Sequence, residues 1–226
     1  MKVGSFTKIV FAVLLCALAA PLAAKDKLPE TTKDGLVLQH HTKLGAVYIK
    51  PGATLTDYNE VKILDCYVAF EKNWQRNFNS DAVGLEGMVT AKDMQNIKTK
   101  VAEEFKAVFT RELDKAGYTV VENTGADVLL IRPAIINLTV TAPDLNSPEM
   151  SASFVASNGS MTLYAELYDS QTSAKIAEVL DSEEAGYGFT QVANSVTNQA
   201  ALDKTLQAWA EILVKRLDEA HGKTSK

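Results

Sequence analysis

Residues 90–117 decide the fold, and their sequence is TAKDMQNIKTKVAEEFKAVFTRELDKAG. The apolar residues recur at spacings of three and four, the period of one face of an α-helix. They are Met94, Ile97, Val101, Phe105, Val108, Phe109 and Leu113. Thr90 followed by Asp93 approximates a capping box, with Asp in place of the usual Glu or Gln. Gly117 ends the pattern as a C-terminal cap. The segment predicts an amphipathic helix of roughly 39 Å, long enough to cover a β-sheet.

The residues before this helix predict β-strands. Residues 60–70 alternate apolar and polar side chains, which is the period of a half-buried strand. Shorter extended segments are predicted at 35–40 and 45–50, and Pro51-Gly52 signals a turn after the second. Residues 72–89 have weaker periodicity, and we interpret them as a loop with at most a helical turn.

The residues after the helix also predict strands. A short strand is expected at 118–122, and 128–140 is rich in Val, Leu and Ile, as strands are. Pro133 lacks a hydrogen-bond donor, so this strand should be bulged there or lie at an edge. Residues 160–169 and 174–181 alternate in the same way and predict an antiparallel hairpin across 170–173.

A final amphipathic helix is predicted from about Thr197 to Ala220. Strands separated by only two long helices favour an α+β fold over a doubly wound parallel sheet. We therefore predict one domain over residues 35–222, after a flexible leader at 25–34. Its expected architecture is a mixed, largely antiparallel sheet with both long helices packed on one face.

The first 24 residues have the pattern of a secretory signal peptide. Lys2 and Lys8 precede an uncharged, mostly apolar run, and small residues follow it. We place cleavage after Ala24, with Ala19 as the alternative. The run is short for a transmembrane helix, which needs ~20 apolar residues. The bulky Leu15 before Cys16 argues against lipid attachment at that cysteine.

The mature chain is predicted to be a periplasmic or secreted protein without a transmembrane segment. Removing residues 1–24 takes away two lysines and no carboxylate, so the formal net charge falls from −5 to −7. An acidic chain without a basic stripe argues against nucleic-acid binding. The partner expected from this compartment is an envelope protein or another envelope component.

Metal and cofactor sites are not predicted. Cys66 is the one cysteine left after cleavage, and its strand periodicity places it on the apolar face as a small hydrophobe. The adjacent His40 and His41 point to opposite faces of a strand, and His221 lies close to the C-terminus. A zinc site would need a closer set of His and Cys ligands.

Four residues are candidate binding residues. Arg132 lies inside an apolar strand, where it either snorkels to the sheet edge or pairs with a buried carboxylate. A structural ion pair is the default interpretation, and a ligand anchor is the alternative. Asp169 belongs to a group of carboxylates around the predicted hairpin, with Asp181, Glu183 and Glu184. Asp144 and Asn146 lie in a polar segment, residues 141–157, that predicts a recognition loop.

Three stretches resemble a known bacterial family. They are Gly117-Tyr118-Thr119-Val120-Val121, the run from Ala126 to Arg132, and the run from Ala165 to Thr172; the segments at 48–53 and 58–61 also look like the family's opening. The chain resembles domain of unknown function number 3313 over most of residues 34–220. That family consists of exported proteins, many of them lipoproteins, and the resemblance implies an envelope location. It supplies no catalytic residues.

The sequence favours a non-enzymatic binding or structural module of the cell envelope. The sequence has few side chains of the kind whose reactivity is tuned by neighbouring groups in enzymes. Two alternatives remain open, a periplasmic hydrolase using carboxylates and a small-molecule or lipid carrier with a pocket between sheet and helices.

Overall fold

The computed structural model describes residues 28–81, 88–140, 160–184 and 195–223. Within these ranges runs of strands are separated by helices, as expected for an α+β fold. In chain order they are β1 (Val37–Leu38), β2 (Ala46–Ile49), β3 (Glu60–Ile63), β4 (Tyr67–Phe70), α1 (Trp74–Asp81), α2 (Ala91–Lys115), β5 (Thr119–Val120), β6 (Val128–Leu138), β7 (Ser160–Asp169), β8 (Lys175–Glu184) and α3 (Ser195–Ala220).

Helix α2 begins and ends as the sequence predicts. The Thr90 hydroxyl accepts a hydrogen bond from the Asp93 backbone N–H at 3.2 Å, and the Asp93 carboxylate accepts one from the Thr90 N–H at 2.8 Å. This reciprocal pair satisfies two of the unpaired donors of the first turn. After the helix, Gly117 has a φ of +84°, a conformation that favours glycine.

All described strands form one mixed sheet. Its order is β1-β2-β8-β7-β6-β3-β5, and β4 also pairs with β6. The pairings of β1, β2, β8, β7 and β6 along this order are antiparallel, whereas β3, β4 and β5 join the sheet in parallel. The predicted mixed, largely antiparallel sheet is confirmed.

The strand predicted at 60–70 is two strands, and both pair with β6. Ile63 is opposite Ile131 and Tyr67 is opposite Ala134, so β3 and β4 together carry one more residue than β6 does across this interval. The interruption faces Pro133. The Leu64 N–H donates to the Ile131 carbonyl. Backbone groups two residues apart point to the same side of a strand, so the backbone nitrogen of Pro133 faces the same side as the backbone groups of Ile131.

The missing N–H of Pro133 therefore faces the break between β3 and β4. A proline inside a sheet is tolerated where the ladder is interrupted. Of the two predicted alternatives, the edge position does not apply, because β6 lies between β7 and the β3–β4 side. The expected irregularity is present on the neighbouring strands.

Helices α2 and α3 pack against the sheet and enclose the main core. Phe105 is completely buried and stacks on Phe109 with 4.1 Å between ring centroids. Leu206 and Trp209 of α3 are also buried in this core. Arg111 joins the two helices through an ion pair to Asp203 at 3.1 Å. The predicted helical layer is confirmed.

Two local features differ from the sequence predictions. Residues 74–81, interpreted as part of a loop, form helix α1, and Trp74 stacks on Phe70 at 4.6 Å. The described part of the predicted leader is attached to the sheet. Thr31 forms a bridge to Val37, and Asp34 pairs with Lys175 at 2.7 Å.

Candidate functional site

Arg132 and Glu166 form an ion pair in which the carboxylate is buried and the arginine side chain is 58% exposed. They are directly opposite each other on β6 and β7. The Arg132 guanidinium pairs with Glu166 Oε2, and the Glu166 side chain is only 3% exposed. Glu166 Oε1 accepts hydrogen bonds from the Lys175 ammonium at 2.7 Å and the Tyr164 hydroxyl at 3.0 Å. The carboxylate thus has two cations and a phenol as partners.

These partners keep Glu166 ionised despite its burial. Burial alone raises the pKa of a carboxyl group. The hydrogen bonds from Lys175, Tyr164 and Tyr168 outweigh it, so the pKa of Glu166 lies below its usual value. Burial also acts to lower the pKa of Lys175, but Asp34 and Glu166 raise it above its usual value. Of the two interpretations of Arg132, the geometry favours the structural ion pair, and the ligand anchor stays a prediction.

Asp169 caps the hairpin between β7 and β8. Its Oδ1 accepts hydrogen bonds from the Thr172 backbone N–H at 2.7 Å and from the Thr172 hydroxyl at 2.6 Å. Its Oδ2 accepts one from the Tyr58 hydroxyl at 3.0 Å. The Thr172 bonds hold the pKa of Asp169 below its usual value, whereas burial and Asp169 together raise the pKa of Tyr58 to about 12. One carboxylate oxygen therefore stabilises the turn, and the other ties the end of the hairpin to Tyr58.

The predicted carboxylate cluster around the hairpin is not formed by Asp169 and Asp181. Asp181 is opposite Leu163, six residues along β7 from Asp169, which places the two ~20 Å apart. Glycoside hydrolysis needs two carboxylates at ~5–10 Å. Asp181 instead accepts hydrogen bonds from the Trp209 indole and the Gly45 N–H, both at 2.8 Å.

Asp144 and Asn146, with the recognition loop at 141–157, lie outside the described residues. Among the described residues, no group of three or more His, Cys, Asp and Glu side chains is arranged to hold a metal ion. His40 is exposed and lies 3.3 Å from Glu30.

Cys66 lies in the break between β3 and β4 and packs against the core. Burial raises the pKa of the thiol to about 12, although the Ile135 N–H donates to it and acts in the opposite direction. A thiol with this pKa is protonated at neutral pH and is a poor nucleophile. The predicted role of a small hydrophobic residue fits this environment.

An open cleft of about 570 Å³ lies between this break and helix α2. Its sheet side is formed by the end of the break and the start of β4. Its helix side follows one face of α2, where successive lining residues are alternately three and one positions apart. The lining residues are Asp65, Cys66, Tyr67, Val68, Gln95, Lys98, Thr99, Ala102, Glu103 and Lys106. The cleft therefore has a mixed apolar and charged surface.

Within the described part of the chain, strand β4 has an unpaired edge beside this cleft. Among the described strands it pairs with β6 alone. It contains Tyr67, Val68, Ala69 and Phe70, without charge or proline, and Tyr67 is 64% exposed. Natural edge strands are usually kept short or protected by charges, prolines or bulges. The terminal strands β1 and β5 are only two residues long, whereas β4 offers four uncharged residues.

Among the described residues, two charges on the α2 side of the cleft rim lack a salt-bridge partner, and so does Asp65 on the sheet side. Among the described residues, neither Lys98 nor Glu103 has an oppositely charged group within 4.0 Å. The neighbouring Lys106 does, since its ammonium lies 3.1 Å from Glu122. The rim thus carries one unpaired charge of each sign on the same helix.

The sequence did not predict this cleft, although it contains a signal for it. Helix α2 carries a second face, with Gln95, Thr99, Ala102 and Lys106, beside the apolar stripe. Locating that face next to β4 required the tertiary structure. None of the helices in the described ranges is long and apolar enough to cross a bilayer.

These elements define an α+β domain, in which helices pack on one face of an open sheet. The chain belongs to the family described as "Protein of unknown function (DUF3313)", whose model matches residues 33–213. The resemblance inferred from the sequence is confirmed.

Solved structures show only distant similarity. The PelC dodecamer from Paraburkholderia phytofirmans is 11% identical, with 72% of this chain and 97% of that chain covered and a TM-score of 0.37. XCC0632 from Xanthomonas campestris is 14% identical, with coverage of 72% and 85% and a TM-score of 0.35. BT2437 from Bacteroides thetaiotaomicron, of family DUF4136, is 11% identical, with coverage of 80% and 98% and a TM-score of 0.37. No curated protein matches the sequence.

Proposed function

We propose that this protein is exported to the cell envelope and acts there as a non-enzymatic binding module. Its contact surface is the free edge of β4 with the adjoining cleft on α2. The observation that carries the proposal is the four-residue, uncharged edge of β4 beside an open cleft. The N-terminal signal pattern of residues 1–24 supports the envelope location.

The surface suits a polypeptide that binds in extended form. An added strand can form backbone hydrogen bonds with a free sheet edge, while the neighbouring groove holds alternate side chains. Val68 and Ala102 provide apolar contact in the cleft, and the exposed Tyr67 provides an aromatic side chain of the kind enriched at interfaces.

The carrier alternative requires room between the sheet and the helices. In the described residues that layer is occupied by tightly buried side chains, including Phe105, Phe109, Leu206 and Trp209, each at most 4% exposed. The open cleft lies outside this core, on the outer side of β4 and α2. The geometry therefore supports binding at the surface better than enclosure of a small molecule.

Site-specific photo-crosslinking in intact cells tests this proposal. A photoreactive phenylalanine analogue at position 67 should give covalent adducts to a polypeptide, because this side chain is exposed at the β4 edge. The matched control is the same analogue at Val37, which is 39% exposed on the other edge strand β1. Adducts at 67 should disappear when Ala69→Lys puts a charge on β4. Equal labelling at 67 and 37 would contradict the proposal.

A further inference from the structure

We infer that the polypeptide bound at this surface is a second copy of the same chain. The inference rests on the proposed function, because it names the occupant of the β4 edge and cleft. In the resulting dimer, two β4 strands pair antiparallel across a two-fold axis, and two α2 helices face each other on the same side of the joined sheets. Such an interface is isologous, so each residue meets a symmetry-related counterpart.

The rim of α2 is self-complementary under this symmetry. An axis passing midway between residues 100 and 101 places Lys98 opposite Glu103 of the second copy, and the symmetry repeats this contact. Lys98 and Glu103, which lack a salt-bridge partner within the described protomer, thereby neutralise each other. At the centre, Thr99 is opposite Ala102. These small side chains allow two helices to approach at the lower end of the usual ~8–10 Å.

The β4 edge is compatible with the same axis. Antiparallel pairing centred between Val68 and Ala69 places Tyr67 opposite Phe70, so no like charges face each other across the strands. Helix α2 connects β4 with the parallel strand β5, so its path returns antiparallel to β4. An axis perpendicular to the sheet therefore relates both the strands and the helices as antiparallel pairs.

The charge balance of the rim favours a second copy over a strongly charged partner. Apart from the protonated Cys66 thiol and Tyr67, the rim has four ionisable side chains, two of each sign. They are Asp65, Lys98, Glu103 and Lys106. A basic or acidic peptide would leave one pair of these charges facing a like charge, which opposes binding. In a second copy related by the two-fold axis, Glu103 faces Lys98 and Lys98 faces Glu103. Each of these charges therefore meets a charge of the opposite sign.

Charge reversal tests the inference on the purified full chain by sedimentation equilibrium. The unmodified protein should dimerise. Lys98→Glu and Glu103→Lys, each alone, should weaken dimerisation about tenfold or more, because two symmetric contacts become repulsive. An equimolar mixture of the two variants should associate as tightly as the unmodified protein, since both contacts are attractive again in the heterodimer. The double variant should also recover.

Lys92→Glu is the matched control, because Lys92 is exposed on α2 outside the cleft. It makes the same change in net charge as Lys98→Glu and should leave dimerisation unchanged. A monomeric unmodified protein, or a dimer that ignores both reversals, would overturn the inference. If the chain is monomeric but position 67 still crosslinks to another protein, the binding proposal stands and the second-copy inference fails. If neither association is found, both fail.

Discussion

Glu166 illustrates, at the scale of single residues, how a charge is kept buried on this sheet. Removing a carboxylate from water is costly unless charged partners and hydrogen bonds replace the solvent. Here Arg132, Lys175 and Tyr164 supply them, and each comes from β6, β7 or β8. The centre therefore links three neighbouring strands through their side chains.

Glu166→Gln should lower the free energy of unfolding by about 2 kcal/mol at pH 7, the usual size of hydrogen bonds to charged groups. The substitution keeps the side-chain volume but leaves Arg132 and Lys175 without their shared counter-charge. Urea denaturation measures the change. Glu183→Gln is the control, because Glu183 is exposed on β8 and should alter stability by less than about 0.5 kcal/mol. Equal effects of the two substitutions would contradict the assignment.

The pH dependence of this difference has a defined sign. The pKa of Glu166 is lower in the folded protein than its usual value, so its ionised form stabilises the fold. That stabilisation is fully present above the ordinary pKa of about 4.3 and is lost as pH falls through the folded value. The stability gap between the unmodified protein and Glu166→Gln should stay constant from pH 7 to about 5 and narrow below about 4. A gap that widens on acidification would exclude this origin.

At the scale of elements, α2 carries the main packing surface. Phe105→Ala should cost about 3–5 kcal/mol, because the ring is completely buried and its stacking with Phe109 is lost. This is a large part of the ~5–15 kcal/mol that usually stabilises a domain. Lys92→Ala on the exposed side of the same helix is the control. A Phe105→Ala melting temperature equal to that of the control would show that the stripe is not core.

Local signals were sufficient to predict α2 and the β7–β8 hairpin. The capping pair Thr90–Asp93 and the turn at 170–173 are encoded within a few residues, and both are present in the structure. The break between β3 and β4 depends on pairing with β6, far along the chain. Helix α1 has eight residues, too few for a clear period, and Trp74 is placed by stacking on Phe70.

The candidate site was predictable only in part for the same reason. The choice between the two roles of Arg132 depends on Glu166, whose position opposite it is set by strand register. The separation of Asp169 and Asp181 follows from the length of the hairpin, which turns nearby sequence positions into distant points along a strand. The cleft joins β4 to one face of α2, and no short sequence pattern encodes that contact.

At the scale of the whole molecule, we expect the exported mature chain to begin near Lys25, because the signal peptide is predicted to end at Ala24. N-terminal sequencing of protein from the envelope fraction should find this start. Leu14→Arg should keep the precursor in the cytoplasm, because a charge interrupts the apolar region of the signal peptide. Leu28→Arg, the same change at an exposed position after the cleavage site, should be processed normally. Envelope protein that retains residues 1–24 would contradict cleavage.

The order of strands in the sheet has a consequence for how this chain reaches its native state. Strand β2 pairs with β8, so Ala46 cannot pair until Leu180 has been synthesised. Likewise, β3 cannot pair with β6 until β6 has been synthesised. Contacts between residues so distant in sequence make folding slow, because each requires closure of a long loop. A chain emerging N-terminus first cannot complete the sheet until β8 has followed. The sheet is therefore completed only late in the synthesis of the chain.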